Sequence, residues 1–347
     1  MKVFLTGGTG FIGRHLVEML LKRGWEVIAL VRRIDRTEAK AIEKLGVKLV
    51  QGDVTNLESM RSSMTGADIV IHNAGVYELG IDDSAKERMT AINVQGTENV
   101  LRLAQELAVP HCVHVSSVAV YGSSGEGVKD ETFVNPDPKF FAHYENTKLQ
   151  AHQIAQEFQA QGLPLVIVCP NLVVGANDHS VFGYLLRLYL NGWLPPLAWM
   201  PEVFFSHVDI RDVSEGIALV AEKGRMGESY LLCGEAHSRV EMFTIWESQK
   251  GGMKGRVWLP VAITAALFWL LEPLQRLFGL PAFLSRETVL SGSFNRNYSS
   301  AKAQKELGWT YRSAKQMWLE TIELEQELMK KRQKRDFVSR IKPIVGD

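Results

Sequence analysis

The chain opens MKVFLTGGTGFIG (residues 1–13), and the reading of this stretch decides the fold. Residues 2–6 form a short apolar run of strand type, and Gly7, Gly10 and Gly13 follow at three-residue spacing. Each glycine meets a separate need of a dinucleotide-binding turn. Gly7 allows a tight exit from the strand, Gly10 lets backbone approach a pyrophosphate, and Gly13 lets the next helix lie close to the sheet. A helix over residues 15–23 would then aim its free N–H groups at the phosphates, with Phe11 and Ile12 in the turn as further cofactor contacts. Three glycines in an ordinary loop would carry little information. A strand before them and a helix after them supply the context that makes the pattern specific.

The alternation continues outward from this unit. Strands are expected at residues 26–31, 48–51, 69–72, 111–116 and 165–169, with helices at 37–44, 57–64, 87–107 and 143–161 between them. That order predicts an α/β protein with a doubly wound parallel sheet, helices on both faces and right-handed crossovers. Segments 181–191, 203–208, 211–222 and 229–232 interleave a smaller C-terminal substrate-binding lobe with the main sheet. The expected division is a nucleotide-binding domain carrying the catalytic residues at 1–175, a mainly substrate-binding lobe at 176–325 with segments returning to the main domain, and a basic tail at 326–347. Gly251, Gly252 and Gly255 read as a loop.

Composition narrows the partners. At 347 residues and 38.9 kDa the chain can bury a large core. Lys+Arg and Asp+Glu are both 39, so net charge points to no nucleic-acid partner. Cys112, Cys169 and Cys233 are odd in number and far apart, which suits a reducing, cytoplasmic setting without disulfide framework or metal site. With a strand expected from Lys2, no cleavable signal peptide is expected before it. The run VWLPVAITAALFWLL at 257–271 is interrupted by Pro260 and followed by Glu272 and Pro273. It falls short of the about 20 apolar residues that a membrane span requires. The cluster Lys330, Lys331, Arg332, Lys334 and Arg335 reads as a solvated helix end, with attraction to an anionic membrane surface as the sharper alternative.

The candidate chemistry lies at the ends of the strands. Asp53, after the third strand, could accept from an adenine amino group with Val54 beside the ring, or serve as a turn acceptor. The second strand ends Val31-Arg32-Arg33 without an acidic residue for a ribose 2′-hydroxyl. Arg32 instead offers charge and a planar donor fork to a 2′-phosphate, so NADP(H) is favoured, with NAD(H) as the other option. Asn73, Ala74 and Gly75 permit close passage beneath a nicotinamide ribose, and Asn93 could brace the site or a helix–strand contact. Tyr144 and Lys148 stand four residues apart, one helical turn, and Ser117 follows a strand. A tyrosine can exchange a proton with a reacting oxygen, a neighbouring lysine can favour its phenolate, and a serine can polarise the oxygen.

These motifs together resemble the extended short-chain dehydrogenase/reductase superfamily, the NAD-dependent epimerase/dehydratase family. The shared elements are TGGTGFIG at 6–13, DVT at 53–55, HNAG at 72–75, NVQGTENVL at 93–101, SSVAVYG at 116–122, YENTK at 144–148 and PNLVVG at 170–175. The resemblance implies a Rossmann-type fold, the catalytic roles of Ser117, Tyr144 and Lys148, and an approach of Pro170 to the nicotinamide. It also implies a homodimer across the 87–107 and catalytic helices. Cys169 departs from the arginine found before this proline in many nucleotide-sugar members, and Glu145-Asn146-Thr147 departs from the usual small residues. FFSHVDIRDVSEG at 204–216, LSRE at 284–287 and SSAKAQKELGW at 299–309 are similar to the dihydroflavonol reductase-like and 3β-hydroxysteroid dehydrogenase-like branches.

The expected activity is NADP(H)-dependent reduction of a ketone, or oxidation of the secondary alcohol, in a largely apolar steroid-like, flavonoid-like or long-chain 3-oxo substrate. Trp258, Phe268, Trp269 and Phe278 then form either a lid or a small lobe's core. The alternatives are an NAD-dependent nucleotide-sugar epimerase or dehydratase and a non-catalytic dinucleotide sensor.

Overall fold

The computed structural model describes residues 1–249, 256–278 and 282–332. The loop expected at Gly251, Gly252 and Gly255 and the basic residues Lys334 and Arg335 lie outside the described residues, as does the side chain of Phe278. Lys2–Thr6 (β1), Glu26–Val31 (β2), Lys48–Gln51 (β3), Ile69–His72 (β4), His111–Val115 (β5) and Leu165–Pro170 (β6) form a parallel sheet with Ser229–Leu232 at its far edge. The order from that edge is Ser229–Leu232, β6, β5, β4, β1, β2, β3. The strand order reverses at β1 and β4, where open α/β sheets hold their ligands.

Both sheet faces are covered, so the central strands are apolar throughout rather than alternating. One face packs Leu16, Val17 and Leu20 of the first helix with Val213, Ile217 and Trp309, and the other packs Met60, Val100, Leu103 and Phe158. A third cluster around Leu186, Tyr189, Trp246 and Trp318 forms the core of the smaller lobe.

The first helix, Phe11–Lys22 (α1), starts four residues before its expected position. Poor helix propensity argues against Gly13 inside a helix, but packing overrides it: a Cβ there would stand 2.0 Å from the Gly7 carbonyl oxygen. The long helix expected over 87–107 is instead Asp83–Thr90 and Gly96–Glu106 joined by a wide π turn at Ala91–Gln95. In the C-terminal part, Val257–Leu259 pairs with Leu197–Trp199, and the helix Val261–Phe278 packs against the short helix Arg286–Ser291. Among the described residues no helix is long and apolar enough to cross a membrane. The last helix, Ala314–Arg332, runs unbroken past residue 325, where the basic tail was expected to begin.

Candidate active site

The glycine turn is built as a cradle. Gly7 has φ +72°, and a Cβ on it would lie 2.7 Å from the Asn73 carbonyl and the Ala74 nitrogen, so backbone passes where a side chain would stand. Gly10 caps α1 without a side-chain hydrogen bond, leaving the first N–H groups of the helix open toward the cavity. A dinucleotide pyrophosphate fits this arrangement of close backbone and free donors.

A cavity of about 480 Å³ runs from this turn to the helix His143–Ala160, which carries the candidate catalytic residues Tyr144 and Lys148. Gly7, Gly10, Phe11, Ile12, Asn73, Ala74, Gly75, Ser117, Tyr144 and Lys148 all line it. Gly13, Arg32, Asp53, Val54 and Pro170 are not among the lining residues. Gly13 serves helix packing, and Pro170 ends β6 beside Leu232. Asp53 uses Oδ1 to accept from the Thr55 amide at 2.9 Å and its hydroxyl at 2.8 Å, the turn-acceptor arrangement. Val54 is buried against Gly96.

Burial governs the electrostatics of the centre. Lys148 Nζ donates to the Val115 carbonyl at 2.9 Å, and desolvation pulls its pKa down to about 8. Desolvation pushes Tyr144 up to about 12, opposed by its hydrogen bond with Ser117. Ser117 Oγ also accepts from the Ala119 amide at 3.1 Å, which orients it at the start of the 3₁₀ turn Val118–Tyr121. The Tyr77 ring stands edge-on to Tyr144 with centroids 4.7 Å apart.

Asn93 is a brace. Its Oδ1 accepts from the Val76 amide at 2.7 Å, while Nδ2 donates to the Val76 carbonyl and to Thr147 Oγ1, each at 3.0 Å. The π turn aims this side chain at the loop and the catalytic helix together. Beneath it, neutral His72 joins Thr6 Oγ1 at 2.8 Å and Thr97 Oγ1 at 3.0 Å, and Thr97 donates to the Asn93 carbonyl at 2.7 Å. Desolvation lowers the His72 pKa to about 3, so the chain stays uncharged.

Glu145, Glu287, Ser291 and Arg296, to which sequence reasoning gave no role, tie the site together. Glu145 Oε2 accepts from the Phe141 and Ala142 amides, and Oε1 accepts from Ser291 Oγ and Arg296 Nη2, both at 2.6 Å. Glu287 bridges the Gly80 and His143 amides at 3.0 and 3.2 Å. The unusual YENTK spelling is thereby explained: its glutamate ties the catalytic helix to the smaller lobe. A mostly apolar recess of about 70 Å³ opens beside Tyr77, lined by Leu172, Phe182, Leu185, Leu194, Trp199 and Phe205, with Arg239 and Arg296 also on its wall. Of the aromatic residues expected as lid or core, Trp258 packs on the lobe core and Phe268 meets Trp199 edge-on at 6.0 Å, while Trp269 is 58% exposed.

The preference for NADP(H) drawn from Arg32 is corrected. Arg32 is exposed beyond β2, and the charged groups lining that end of the cavity are Arg14 and Glu38. Five solved structures similar to this chain, two of DesIV, one of a Bacillus anthracis dTDP-glucose 4,6-dehydratase and two of a Bacillus cereus UDP-glucuronic acid 4-epimerase, hold NAD.

Residues 3–233 match the NAD dependent epimerase/dehydratase family. The 4-hydroxy-2-methyl-3-oxo-4-farnesyl-3,4-dihydroquinoline-1-oxide ketoreductase of Stigmatella aurantiaca is 30% identical over 93% of this chain and 96% of its own length. Sterol demethylase protein B of Methylococcus capsulatus is 30% identical over 89% and 93%. Among solved structures, the dTDP-glucose 4,6-dehydratase DesIV of Streptomyces venezuelae, with NAD bound, superposes with a TM-score of 0.76 at 23% identity over 94% and 97%. The chain therefore belongs to the NAD dependent epimerase/dehydratase family and is an NAD(P)-dependent oxidoreductase of the short-chain dehydrogenase/reductase type, acting on a small organic substrate.

Proposed function

We propose that the chain interconverts a secondary alcohol and a ketone on a largely apolar substrate with NAD(H). The observation that carries this reading is the apolar wall of Leu172, Phe182, Leu185, Leu194, Trp199 and Phe205 beside Tyr77, whose recess of about 70 Å³ would take a few carbon atoms of a substrate held in the 480 Å³ cavity. The names of the Stigmatella and Methylococcus relatives support it. Cys169 is fully buried in β6 and cannot take the place of an arginine facing a diphosphate. Arg296, at the junction of recess and main cavity, is engaged by Glu145.

NAD(H), when bound, supplies or takes up the hydride. Ser117 Oγ would hold the substrate oxygen, and Tyr144 would donate its phenolic proton to that oxygen in reduction and recover it in oxidation. Lys148, held by the Val115 carbonyl, would place an ammonium charge that favours the phenolate. Glu38 would accept from an adenosine ribose hydroxyl. A cytoplasmic setting and a pair of chains joined across Gly96–Glu106 and His143–Ala160 belong to the same proposal.

The second reading is a nucleotide-sugar epimerase or dehydratase with retained NAD. The solved neighbours favour it over the apolar substrate: dTDP-glucose dehydratases and UDP-sugar epimerases match 94–95% of this chain.

One assay separates the two. The purified enzyme is offered NADH with hydrophobic ring and long-chain ketones, and separately UDP- and dTDP-hexoses. Net NADH consumption with the ketones supports the first reading, whereas sugar conversion without net NADH loss supports the second. Tyr144→Phe is expected to lower turnover by about 10²-fold or more while leaving NADH binding intact. Turnover at the parent rate would remove the acid–base role.

A further inference from the structure

The helix Val261–Phe278 turns much of its apolar surface outward. Ile263, Leu267, Trp269, Leu270 and Leu271 are 50, 43, 58, 62 and 43% exposed. Ala262, Ala266 and Pro273 are exposed among them. Glu272 is the helix's carboxylate in this stretch, and its Oε1 is taken by the Arg286 amide at 2.9 Å. Single exposed apolar residues are ordinary on a soluble protein, but a contiguous face of this kind marks an interaction surface.

Two neighbouring features identify what it meets. The first is charge. Lys330 and Lys331 are exposed at the end of the last helix, whose Met329 packs on the same small-lobe core as Trp258. Arg286 is exposed at the Glu272 turn of the same helix. An apolar face with Arg286 at one end, two further cations on the same lobe and a tryptophan among its exposed residues matches the acyl boundary and anionic headgroups of a bilayer. The second is continuity with the recess. Val257 and Leu197 are 56 and 45% exposed on paired strands leading into the helix, and Leu197 also lines the apolar recess.

We propose that this face rests on an anionic lipid surface, with the Val261–Phe278 helix in the plane of the interface and the mouth of the recess turned toward the lipid. The helix lies on the membrane and does not cross it. The proposal rests on the surface alone and holds whichever substrate the site takes.

Flotation of the full-length protein with phosphatidylglycerol-containing vesicles, against purely phosphatidylcholine vesicles, tests it. The parent is expected to float with the anionic vesicles. Leu267→Glu/Leu270→Glu is expected to lower that partitioning by about tenfold or more, since two side chains lose their apolar contact. Lys330→Glu/Lys331→Glu is expected to weaken it in a salt-dependent manner. Neither pair lines the cavity, so NADH binding should match the parent and report correct folding. Brominated lipid should quench tryptophan fluorescence in the parent and quench it less in Trp269→Phe, an arm independent of the glutamate variant. Flotation unchanged by Leu267→Glu/Leu270→Glu would overturn the proposal. So would a parent that ignores vesicles and sediments as a dimer dissociated by that variant, since the occupant would then be a second copy.

Discussion

Replacing Arg296 with methionine should cost about 3 kcal/mol of folding stability, at the lower end of what breaking a buried ion pair costs. The pair is secluded, with side-chain exposures of 8% for Arg296 and 5% for Glu145, and the contact is 2.6 Å. Methionine preserves length and burial but leaves the Glu145 carboxylate charged in a dry site. Three donors remain on that carboxylate, the Phe141 and Ala142 amides and the Ser291 hydroxyl, which places the cost near the lower bound. The change also acts on the neighbouring residue. Arg296 lowers the Tyr144 pKa and Glu145 raises it, so losing the cation drives the phenol further from ionisation. Urea unfolding of the parent, Arg296→Met, Glu145→Gln and the double variant forms a complete cycle. The double variant should recover at least about 1 kcal/mol relative to additivity, because the carboxylate charge is no longer stranded. A loss below about 1 kcal/mol for Arg296→Met, with no coupling in the cycle, would refute the reasoning.

Below about pH 8 the two directions should differ, reduction staying flat and oxidation rising, and above it both should lose the help of Lys148. Lys148 titrates near 8 and must be charged to assist, so kcat/KM for reduction should fall as pH rises through that value. Oxidation needs the Tyr144 phenolate and, with Tyr144 held near 12, should continue to gain from alkali until Lys148 loses its charge. A reduction profile still flat well above pH 8 would exclude Lys148 as the group that tunes Tyr144. Gly13→Ala sets a Cβ 2.0 Å from the Gly7 carbonyl oxygen and should weaken NADH binding at least about tenfold by calorimetry, through displacement of the turn. An unchanged affinity would show that the turn yields without consequence.

The sheet and the gathering of Ser117, Tyr144 and Lys148 on one cavity were legible because their signals are local. A strand, a glycine turn and a helix lie within 13 residues, and Tyr144 and Lys148 fall one helical turn apart. The Glu145–Arg296 pair joins positions 151 apart, and no local pattern marks either residue as half of a pair. The π turn at Ala91–Gln95 breaks the 3.6-residue period on which helix reading depends, so the aim of Asn93 emerges only from three dimensions. Arg32 has a charge suited to a phosphate but does not line the cavity, while Glu38, a few residues on, does, and which of the two reaches the cavity cannot be read from a strand end. Trp269 has the composition of a core residue and the setting of a surface one.

The buried carboxylate at position 145 also bears on how such a chain can change over time. The residues shaping the recess come largely from segments beyond residue 172, while the groups proposed to move the proton lie before residue 149. Leu185 or Leu194 can therefore drift and refashion substrate choice while the chemistry stays fixed. Arg296 has no such freedom. Its replacement strands a charge beside Tyr144, so the two halves of the molecule are constrained to diverge in step at this one point, and positions 145 and 296 should covary among descendants.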